Sequence, residues 1–240
     1  MTAWFVSDLH LTPDRPAVGA AFARFLRDVP ASGDSVYVLG DLFEYWAGDD
    51  DLASPLPHAT VAALAACAGR GGALYWIPGN RDFLTGGGFA KAARVTPLSD
   101  PFTFDLHGER TVLLHGDTLC TDDRAYQAFR SECRSERWQR EFLARPLDLR
   151  RAEIEALRER SETEKAGKPA AIMDVNVDAV ARLFADSGAT RMIHGHTHRP
   201  ACHETLMAGR KTRRWVLPAW DNGPGYLRVD GSGAALVDFN

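Results

Sequence analysis

Five short apolar segments of this chain each end in side chains that commonly bind metal ions. The central segment is residues 37–39, followed by Gly40 and Asp41, and this pattern is typical of a buried strand that carries a carboxylate at its end. The other four segments end near Asp8 and His10, near Asn80, near His115, and at the histidines between 194 and 198. Sheet enzymes gather functional side chains in the loops at strand ends, because the sheet below them is rigid. The pattern therefore predicts one site with Asp41 in its middle.

Each of these side chains has an ordinary explanation when it is taken alone. An aspartate after a glycine usually belongs to a turn, and a single histidine is usually a partly buried residue with a satisfied hydrogen bond. The alternation of an ideal strand places His194, His196 and His198 on one face, so it does not decide which pair binds a metal. The joint occurrence of five such strand ends favours a metal centre over unrelated turns.

The candidate ligands are carboxylates, imidazoles and one amide. They are Asp8, His10, Asp41, Asn80, His115, His196 and His198. This mixture of nitrogen and oxygen ligands suits manganese, iron, cobalt or zinc, and the lack of thiolate argues against a structural zinc site. Seven ligands are too many for one tetrahedral ion, and they fit two ions that share a carboxylate, about 3.5–4 Å apart. Because bound metal lowers the pKa of water, a hydroxide between the ions is the expected nucleophile for displacement at phosphorus.

Composition narrows the class of protein. The 240 residues are 45% hydrophobic and 25% charged, which is ordinary for a globular protein, and the net charge of −4 excludes a broad polycationic surface for nucleic acid. The four cysteines are scattered without a Cys-x-x-Cys pair, as in a reduced cytoplasmic protein. We expect no signal peptide and no membrane-spanning segment, since no run reaches about 18–20 apolar residues. Peripheral attachment to a membrane is compatible with all of this.

Residues 122–168 differ from the rest of the chain. Their helical spacing is interrupted at Pro146, and they contain ten of the chain's arginines. Two interpretations are equally compatible with this pattern. The segment is either a helical insertion over the strand ends or a pair of solvated helices with ion pairs along their surfaces.

Two loops carry motifs that we interpret as ordinary loops. Residues 49–51 are three consecutive aspartates, and they predict a solvated loop because the spacing of an EF-hand is absent. Residues 86–88 are three consecutive glycines without the pattern of a nucleotide-binding P-loop, so we expect a flexible loop there.

The strand-end motifs resemble the signature of a known superfamily, the calcineurin-like metallophosphoesterases. The motifs are Asp8-x-His10, Gly40-Asp41, Gly79-Asn80-Arg81-Asp82, His115-Gly116-Asp117 and Gly195-His196-x-His198. In longer stretches around the same residues, and in Ile172-Met173-Asp174-Val175, the chain resembles one branch of that superfamily, the UDP-2,3-diacylglucosamine pyrophosphohydrolases of lipid A synthesis. The similarity runs in the same order over essentially the whole chain and includes the insertion.

The resemblance implies a fold and two sets of metal ligands. The fold is an α/β four-layer α-β-β-α sandwich, with residues 1–240 as one domain and residues 122–168 as a helical cap that binds lipid. The cofactors implied are two manganese ions per chain. One takes Asp8, His10, Asp41 and His198, and the other takes Asp41, Asn80, His115 and His196. His194 then becomes a neighbour of the ligands and not one of them.

The reaction implied is hydrolysis of the pyrophosphate bond of UDP-2,3-diacylglucosamine. The hydroxide attacks the nucleotide-side phosphorus, and the products are UMP and 2,3-diacylglucosamine 1-phosphate. The substrate is a lipid-linked nucleotide sugar, so we expect a cytoplasmic monomer that associates peripherally with the inner membrane. The alternative is a generic phosphodiesterase or nucleotide pyrophosphatase of the same fold. A non-catalytic scaffold is disfavoured because the ligand set is complete.

The resemblance also assigns roles to individual side chains. Catalytic roles fall on Asp41, Asn80, Arg81 and His115, and substrate contacts fall on Asn80, Arg81, Asp123, Ser161, Lys165, Lys168 and His196. Arg81 stands where the wider superfamily usually has a histidine that protonates a leaving alcohol. Arginine keeps its proton, so it suits a leaving group that departs as an anion, such as a phosphate monoester with a second pKa of about 6. Its fork of donors would bind phosphate oxygens in a bidentate manner.

Overall fold

The structure is a computed structural model that describes residues 1–166, 174–207 and 209–239, with the side chains of all of these except 159–166. Lys168 and the Ile172-Met173 part of the motif lie outside the described residues. The side chains of Ser161 and Lys165 lie outside the described part as well. The predicted substrate contacts of Ser161, Lys165 and Lys168 therefore stay predictions.

Eleven strands form two sheets within the described part of the chain. They are β1 (Ala3–Val6), β2 (Ser35–Leu39), β3 (Ala73–Ile77), β4 (Thr96–Pro97), β5 (Phe102–Leu106), β6 (Glu109–Leu113), β7 (Arg191–His194), β8 (Ala201–Met207), β9 (Arg210–Val216), β10 (Gly225–Asp230) and β11 (Gly233–Asp238). One sheet has the order β11-β10-β1-β2-β3-β4, and the other has the order β5-β6-β7-β9-β8.

Seven α-helices surround the sheets in the same described residues. They are α1 (Pro16–Asp28), α2 (Pro55–Gly69), α3 (Gly87–Ala93), α4 (Arg124–Cys133), α5 (Glu136–Leu143), α6 (Leu147–Ala166) and α7 (Val177–Ser187). None of the helices seen in the described ranges has both the length and the apolar composition needed to cross a bilayer.

Three apolar clusters define the layers. The first packs α1, α2 and α3 against the outer face of the six-stranded sheet, where Val36 and Val38 of β2 are buried. The second lies between the sheets and contains Tyr37 and Leu39 of the same strand together with partners from β6 and β7. The third packs α7 against the outer face of the five-stranded sheet. Since both faces of β2 are covered, its apolar run is continuous and not alternating, and the predicted four-layer fold class is confirmed.

The strands that end in candidate ligands point the same way within each sheet. β1 is parallel to β2, and β2 is parallel to β3. In the second sheet, β6 is parallel to β7. The carboxyl ends of parallel strands meet at one edge, so the loops after β1, β2 and β3 are neighbours there, as are the loops after β6 and β7.

Two of the three aspartates of residues 49–51 anchor the start of α6, and the prediction of a solvated loop holds for Asp50, which is 58% exposed, but is wrong for Asp51, which is buried. Arg150 is only 1% exposed, and its guanidinium donates to the Ala47 carbonyl oxygen and pairs with Asp50. Arg151 pairs with Asp51 in the same way. Two acids far from these arginines in the sequence thus help to hold α6, which also packs on the first apolar cluster through Ile154.

The glycines of residues 86–88 are also ordered, which corrects the prediction of a flexible loop. α3 begins at Gly87, and the carboxylate of Asp49 accepts hydrogen bonds from the backbone N–H groups of Gly86 and Phe89, at 3.0 and 2.9 Å. A carboxylate at the amino end of a helix satisfies free N–H groups and interacts favourably with the helix dipole. Because residues 86–88 have no side chains, the Asp49 carboxylate can approach their backbone closely.

Replacement of Arg150 by methionine is expected to lower the free energy of unfolding by about 1–3 kcal/mol, because the buried Ala47 carbonyl loses its donor. Urea unfolding of the metal-free protein measures the change. The matched control is Arg137→Met, whose side chain is 77% exposed and pairs with Glu141 at 4.0 Å, and we expect its effect to stay within about 0.5 kcal/mol. Equal destabilisation by the two variants would contradict the anchoring role of Arg150.

Candidate metal centre

Asp8, His10 and His198 form the first of two groups that could hold a metal ion. The Nε2 atom of His198 lies 3.5 Å from Oδ1 of Asp8, and the Nε2 atoms of His10 and His198 lie 3.3 Å apart. Asp8 is fully buried, and His198 is partly exposed at the mouth of the site. The group thus presents two imidazole nitrogens and one carboxylate oxygen to the same small volume.

Asp41, Asn80, His115 and His196 form the second arrangement. Oδ1 of Asn80 lies 2.9 Å from Nε2 of His115 and 2.9 Å from Nδ1 of His196. Nε2 of His115 lies 3.7 Å from Oδ1 of Asp41. Asp8, Asp41 and His115 also bring one ligand atom each within 4.8 Å of one another, so the two arrangements adjoin.

Asp41 lies between the two arrangements and directs one oxygen to each. Its Oδ2 is 3.8 Å from Nε2 of His10, and its Oδ1 is the atom that faces His115. The carboxylate is held in this orientation because Oδ1 accepts a hydrogen bond of 2.8 Å from the backbone N–H of Arg81. This geometry is what a carboxylate shared by two cations requires.

Most of the candidate ligands have a left-handed backbone. Asp8, His10, Asp41, His196 and His198 all have φ between 49° and 69°. Residues other than glycine rarely adopt this region, and they do so mainly where the surroundings compel it, which is common at functional sites. The strain turns the chain sharply after β1, β2 and β7, so that successive side chains face the site and do not continue the alternation of a strand.

Two glycines allow the loops to approach each other closely. A Cβ atom at Gly79 would lie 2.1 Å from Oδ1 of Asp41, and a Cβ atom at Gly195 would lie 2.1 Å from Oδ2 of Asp8. Such contacts are impossible, so any side chain at either position would displace a candidate ligand. The glycines of these motifs are therefore required by space around the carboxylates.

Asp82 joins the loop after β2 to the loop after β3. Its buried carboxylate accepts backbone hydrogen bonds from Leu42 at 2.7 Å and from Gly79 at 2.8 Å, with longer ones from Asp41 and Phe43. Burial and the neighbouring Asp41 raise the pKa of Asp82 to about 7, while the backbone N–H groups oppose that shift. This residue fixes the position of Asp41 relative to Asn80 without facing the site itself.

Asp117 attaches the insertion to the loop after β6. Its Oδ2 atom accepts hydrogen bonds from the Tyr126 hydroxyl at 2.6 Å and from Nε of Arg130 at 2.7 Å. The ring of Tyr126 also stacks on His196, with ring centres 6.1 Å apart. Residues from α4 therefore reach the metal centre, which places this part of the insertion beside the strand ends.

The acids and histidines of the centre shift one another's pKa values. Burial opposes ionisation of Asp8, but His198, His115 and His10 outweigh it and hold the pKa of Asp8 below its usual value. Burial likewise opposes protonation of His115, yet Asp41, Asp8 and Asp117 raise its pKa to about 9. For His196, burial and the charge of His115 lower the pKa to about 4. A proton on His115 thus supplies the positive charge that this acidic pocket needs.

A further observation indicates that the candidate ligand atoms suit a divalent cation. Oδ2 of Asp8 is anchored by the hydroxyl of Ser7 at 2.6 Å and by the backbone N–H of His196 at 2.9 Å. Oδ1 of the same carboxylate is buried and has no hydrogen-bond partner among the described residues. A buried carboxylate oxygen without a donor is costly, and a cation in contact with His10 and His198 would satisfy it.

His194 is separate from the group, although the strand pattern left it open as a ligand. Its Nδ1 donates to the Gly195 carbonyl oxygen at 2.8 Å, and its Nε2 lies 3.0 Å from the Arg214 guanidinium. Burial and the charge of Arg214 lower the pKa of His194 to about 3. Both ring nitrogens are therefore engaged away from the centre.

Arg81 and Asp123 occupy different places relative to the centre. The guanidinium of Arg81 lies 3.6 Å from Glu44, beside a cavity of about 510 Å³ in front of His10 and His198. Three arginines line this cavity, and they are Arg15, Arg81 and Arg158. Asp123 caps the amino end of α4, where its carboxylate accepts a hydrogen bond of 3.1 Å from Tyr126 N–H.

Three acids that organise the centre, Glu44, Asp82 and Asp117, had no predicted role. Asp82 and Asp117 were visible as the last residues of the Gly79–Asp82 and His115–Asp117 motifs, two positions after a candidate ligand in each case. Glu44 belongs to no such motif, because the loop that follows Asp41 is mainly apolar and aromatic. Its role depends on contacts with His10, Arg81 and Arg158, which lie in other loops and in α6, and no local pattern reports such contacts.

Comparisons with known proteins identify the family of this chain. The family model of the calcineurin-like phosphoesterases matches residues 1–200. The chain is 52% identical over 237 residues to UDP-2,3-diacylglucosamine hydrolase of Aromatoleum aromaticum, which covers 99% of this chain and 96% of that protein. It is 46% identical to the enzyme of the same name from Sodalis glossinidius, over 100% of this chain and 99% of that protein. The enzyme of that name from Xanthomonas campestris pv. campestris is 45% identical, over 98% of each chain.

Metal binding is expected to release protons and to strengthen as the pH rises from about 7 to about 9. His115 must lose its proton to act as a ligand, and its pKa of about 9 in the metal-free protein means that a cation displaces that proton throughout this range. His196 is already neutral there, because its pKa is about 4. Titration of the metal-free protein with Mn²⁺ in weak buffer, followed with a pH indicator, measures the protons released.

The control for this experiment is His115→Gln, in which release at pH 8 should fall by about one proton per chain. An affinity that does not change between pH 7 and 9, with no proton release from the parent protein, would contradict the assignment of His115.

Proposed function

This chain belongs to the calcineurin-like phosphoesterase family, and from that premise we propose that it hydrolyses the pyrophosphate bond of UDP-2,3-diacylglucosamine. The products would be UMP and 2,3-diacylglucosamine 1-phosphate, as a step of lipid A biosynthesis. The observation that carries the proposal is the shared position of Asp41 between two ligand arrangements, in a chain 52% identical over its length to a hydrolase of that name. A carboxylate shared by two cations is suited to displacement at phosphorus. The full-length similarity to that hydrolase supports the lipid substrate.

We assign the candidate ligands to two cations, with manganese as the proposed metal. Asp8, His10, Asp41 and His198 would hold one, and Asp41, Asn80, His115 and His196 would hold the other. When bound, such a pair supplies a water molecule of lowered pKa and neutralises charge on the phosphate oxygens. Other residues of the chain keep Asp41 oriented. The backbone N–H of Arg81 donates to it directly, and Asp82 holds the two loops together by accepting backbone hydrogen bonds from both.

Arg81 is proposed to bind the phosphate that departs with the sugar. The cavity in front of His10 and His198 is bordered by arginine side chains, which carry permanent positive charge and bidentate donors. Arginine does not supply a proton, and none is needed if the water oxygen enters at the nucleotide-side phosphorus and the sugar phosphate leaves as an anion. Asp14, Glu44 and Asp221 line the same cavity, so the proposal depends on the bidentate donors of Arg81 and not on a net positive charge.

The insertion is proposed to act as the lipid-binding cap. Phe142 of α5 is buried against the core, whereas Phe129, Leu143 and Leu149 of α4–α6 are at least 39% exposed and available to acyl chains. Asp123, Ser161, Lys165 and Lys168 remain proposed contacts to the sugar and phosphate. The exposed arginines of the insertion, such as Arg137, favour a peripheral position on an anionic cytoplasmic membrane surface.

The proposed reaction is tested by hydrolysis in oxygen-18 water with Mn²⁺ and UDP-2,3-diacylglucosamine, followed by phosphorus NMR of the products. We expect the label in UMP and turnover far above that of a generic aryl phosphodiester. Label in the sugar phosphate would reverse the point of attack. Turnover of the aryl diester alone would leave a phosphodiesterase and remove the lipid substrate.

Arg81→Ala is expected to lower kcat/KM by about 100- to 1000-fold, the range seen when one donor to a developing oxyanion is lost. The protein should keep its two Mn²⁺ ions, because the ligand atoms and the Arg81 backbone N–H remain in place. Steady-state kinetics and elemental analysis of the same preparation measure the two quantities, with Arg81→Lys as the control that keeps the charge. Loss of metal from Arg81→Ala would instead assign this side chain to the metal site.

A further inference from the structure

Two carboxylates outside the ligand set face the far side of the metal-site histidines. Oε2 of Glu44 lies 3.1 Å from Nδ1 of His10, and Oδ2 of Asp221 lies 3.7 Å from Nδ1 of His198. In each imidazole, Nε2 is the atom that faces the other ligands. A histidine that binds metal usually directs its other ring N–H to a carboxylate, which fixes the tautomer, orients the ring and raises its basicity. Both histidines of this group therefore have the environment of a ligand.

Arg15 connects the two carboxylates. Its Nη1 atom pairs with Asp221, and its Nη2 atom lies 4.0 Å from Oε2 of Glu44. Nη2 also donates to the backbone carbonyl oxygen of His10 at 2.8 Å. One guanidinium thus contacts the backbone of one histidine and approaches the outer partners of both. The three side chains come from the loop before α1, the loop after β2 and the segment before β10, which are far apart in sequence.

The other histidines of the centre are held differently. Nδ1 of His115 faces the Leu39 carbonyl oxygen at 2.9 Å, and the ring is fully buried. Nδ1 of His196 faces Asn80 and the site itself. His198, by contrast, has a side chain that is 34% exposed and little packing to fix its orientation. The outer carboxylates therefore lie beside one buried histidine, His10, and one partly exposed histidine, His198.

We propose that Glu44 and Asp221, braced by Arg15, are positioning residues that set the affinity of the Asp8–His10–His198 group for its divalent cation. This inference rests on the metal-dependent function proposed above, but it does not depend on which phosphate ester is the substrate. Each carboxylate lies beside Nδ1 of its histidine, at 3.1 Å for Glu44 and 3.7 Å for Asp221, and its negative charge favours the tautomer with the proton on Nδ1, so that the lone pair of each Nε2 is free for the cation. Asp221 and Glu44 do not contact the substrate in this role and are not catalytic residues.

Glu44 also extends this arrangement to the insertion. Its Oε1 atom lies 2.8 Å from Nη2 of Arg158, a residue of α6, and 3.6 Å from Nη1 of Arg81. The two oxygens of one carboxylate thus face a metal-site histidine and an arginine of the cap. Removal of the negative charge at Glu44 is therefore expected to affect the metal more strongly than removal at Asp221, whose contact with its histidine is longer.

The test is titration of the metal-free, full-length protein with Mn²⁺, with free Mn²⁺ measured by electron paramagnetic resonance. The parent, Glu44→Gln and Asp221→Asn are compared. We expect two equivalents in every case, with one of them bound about 10- to 100-fold more weakly in each variant and the other unchanged. Arg15→Met should weaken the same equivalent, and in the Asp221→Asn background its further effect should be smaller than in the parent.

The matched control is Asp174→Asn. Asp174 has a side chain 34% exposed, against 37% for Asp221, and it likewise pairs with an arginine, Arg199. Asp174 pairs with that arginine and accepts a hydrogen bond from the backbone N–H of Val175, and within the described residues it contacts no candidate ligand, so both Mn²⁺ affinities should stay at the parental values. Asp221→Glu, which restores a carboxylate with longer reach, should recover the affinity that Asp221→Asn loses.

Two further readouts separate positioning from folding. The visible spectrum of Co²⁺-loaded protein should change for one of the two ions in Glu44→Gln and Asp221→Asn, because the orientation of one histidine pair changes. Urea unfolding of the metal-free variants should match the parent. Parental Mn²⁺ affinity in both variants would overturn the inference and leave the proposed function intact. Weakening of both equivalents together with lower stability would also overturn it. A parent protein that binds no Mn²⁺ would overturn the proposed function as well.

Discussion

The crowding of buried carboxylates around Asp41 is the constraint on which the rest of the centre depends. Asp8, Asp41, Asp82 and Asp117 are all buried within a few loops of one another. Like charges without solvent are costly, so each must be offset by histidines, backbone N–H groups, arginines or cations. The groups that compensate the negative charge differ from one aspartate to the next. Asp82 is surrounded by backbone N–H groups, and Oδ2 of Asp117 is held by Tyr126 and Arg130, whereas Asp8 and Asp41 direct oxygens to the candidate histidines and so suit a metal.

Much of the site could be predicted because its signal is local. The five strand ends place ligands within a few residues of apolar runs, and parallel pairing then brings those ends together without further information. The identity of the histidine pair could not be derived from strand alternation. Alternation fails there because His196 and His198 have left-handed backbone, so the chain has left the strand before it reaches them. The resemblance to the superfamily, and not the periodicity, separated them from His194.

The incorrect predictions share a physical cause. Residues 49–51 read as a solvated acidic loop, and residues 86–88 read as flexible, because the partners that order them are distant in sequence. Asp50 and Asp51 bind Arg150 and Arg151, and Asp49 binds the start of α3. Charged residues are assigned to solvent when they are considered alone, yet pairing between two packed elements buries one partner of each pair here, Arg150 in one and Asp51 in the other.

The described side chains of the insertion contact two different parts of the molecule, the core and the surroundings of the metal-site histidines. Tyr126 and Arg130 bind Asp117, and Phe142 packs in the core, so these side chains are fully occupied by the fold. Arg158 is different, because it reaches the carboxylate that faces His10. A cap that only covered a lipid would need no contact with a metal-site histidine. The pairing of Arg158 with Glu44 therefore makes the position of α6 and the orientation of His10 parts of one electrostatic network, through which the cap and the metal centre constrain each other.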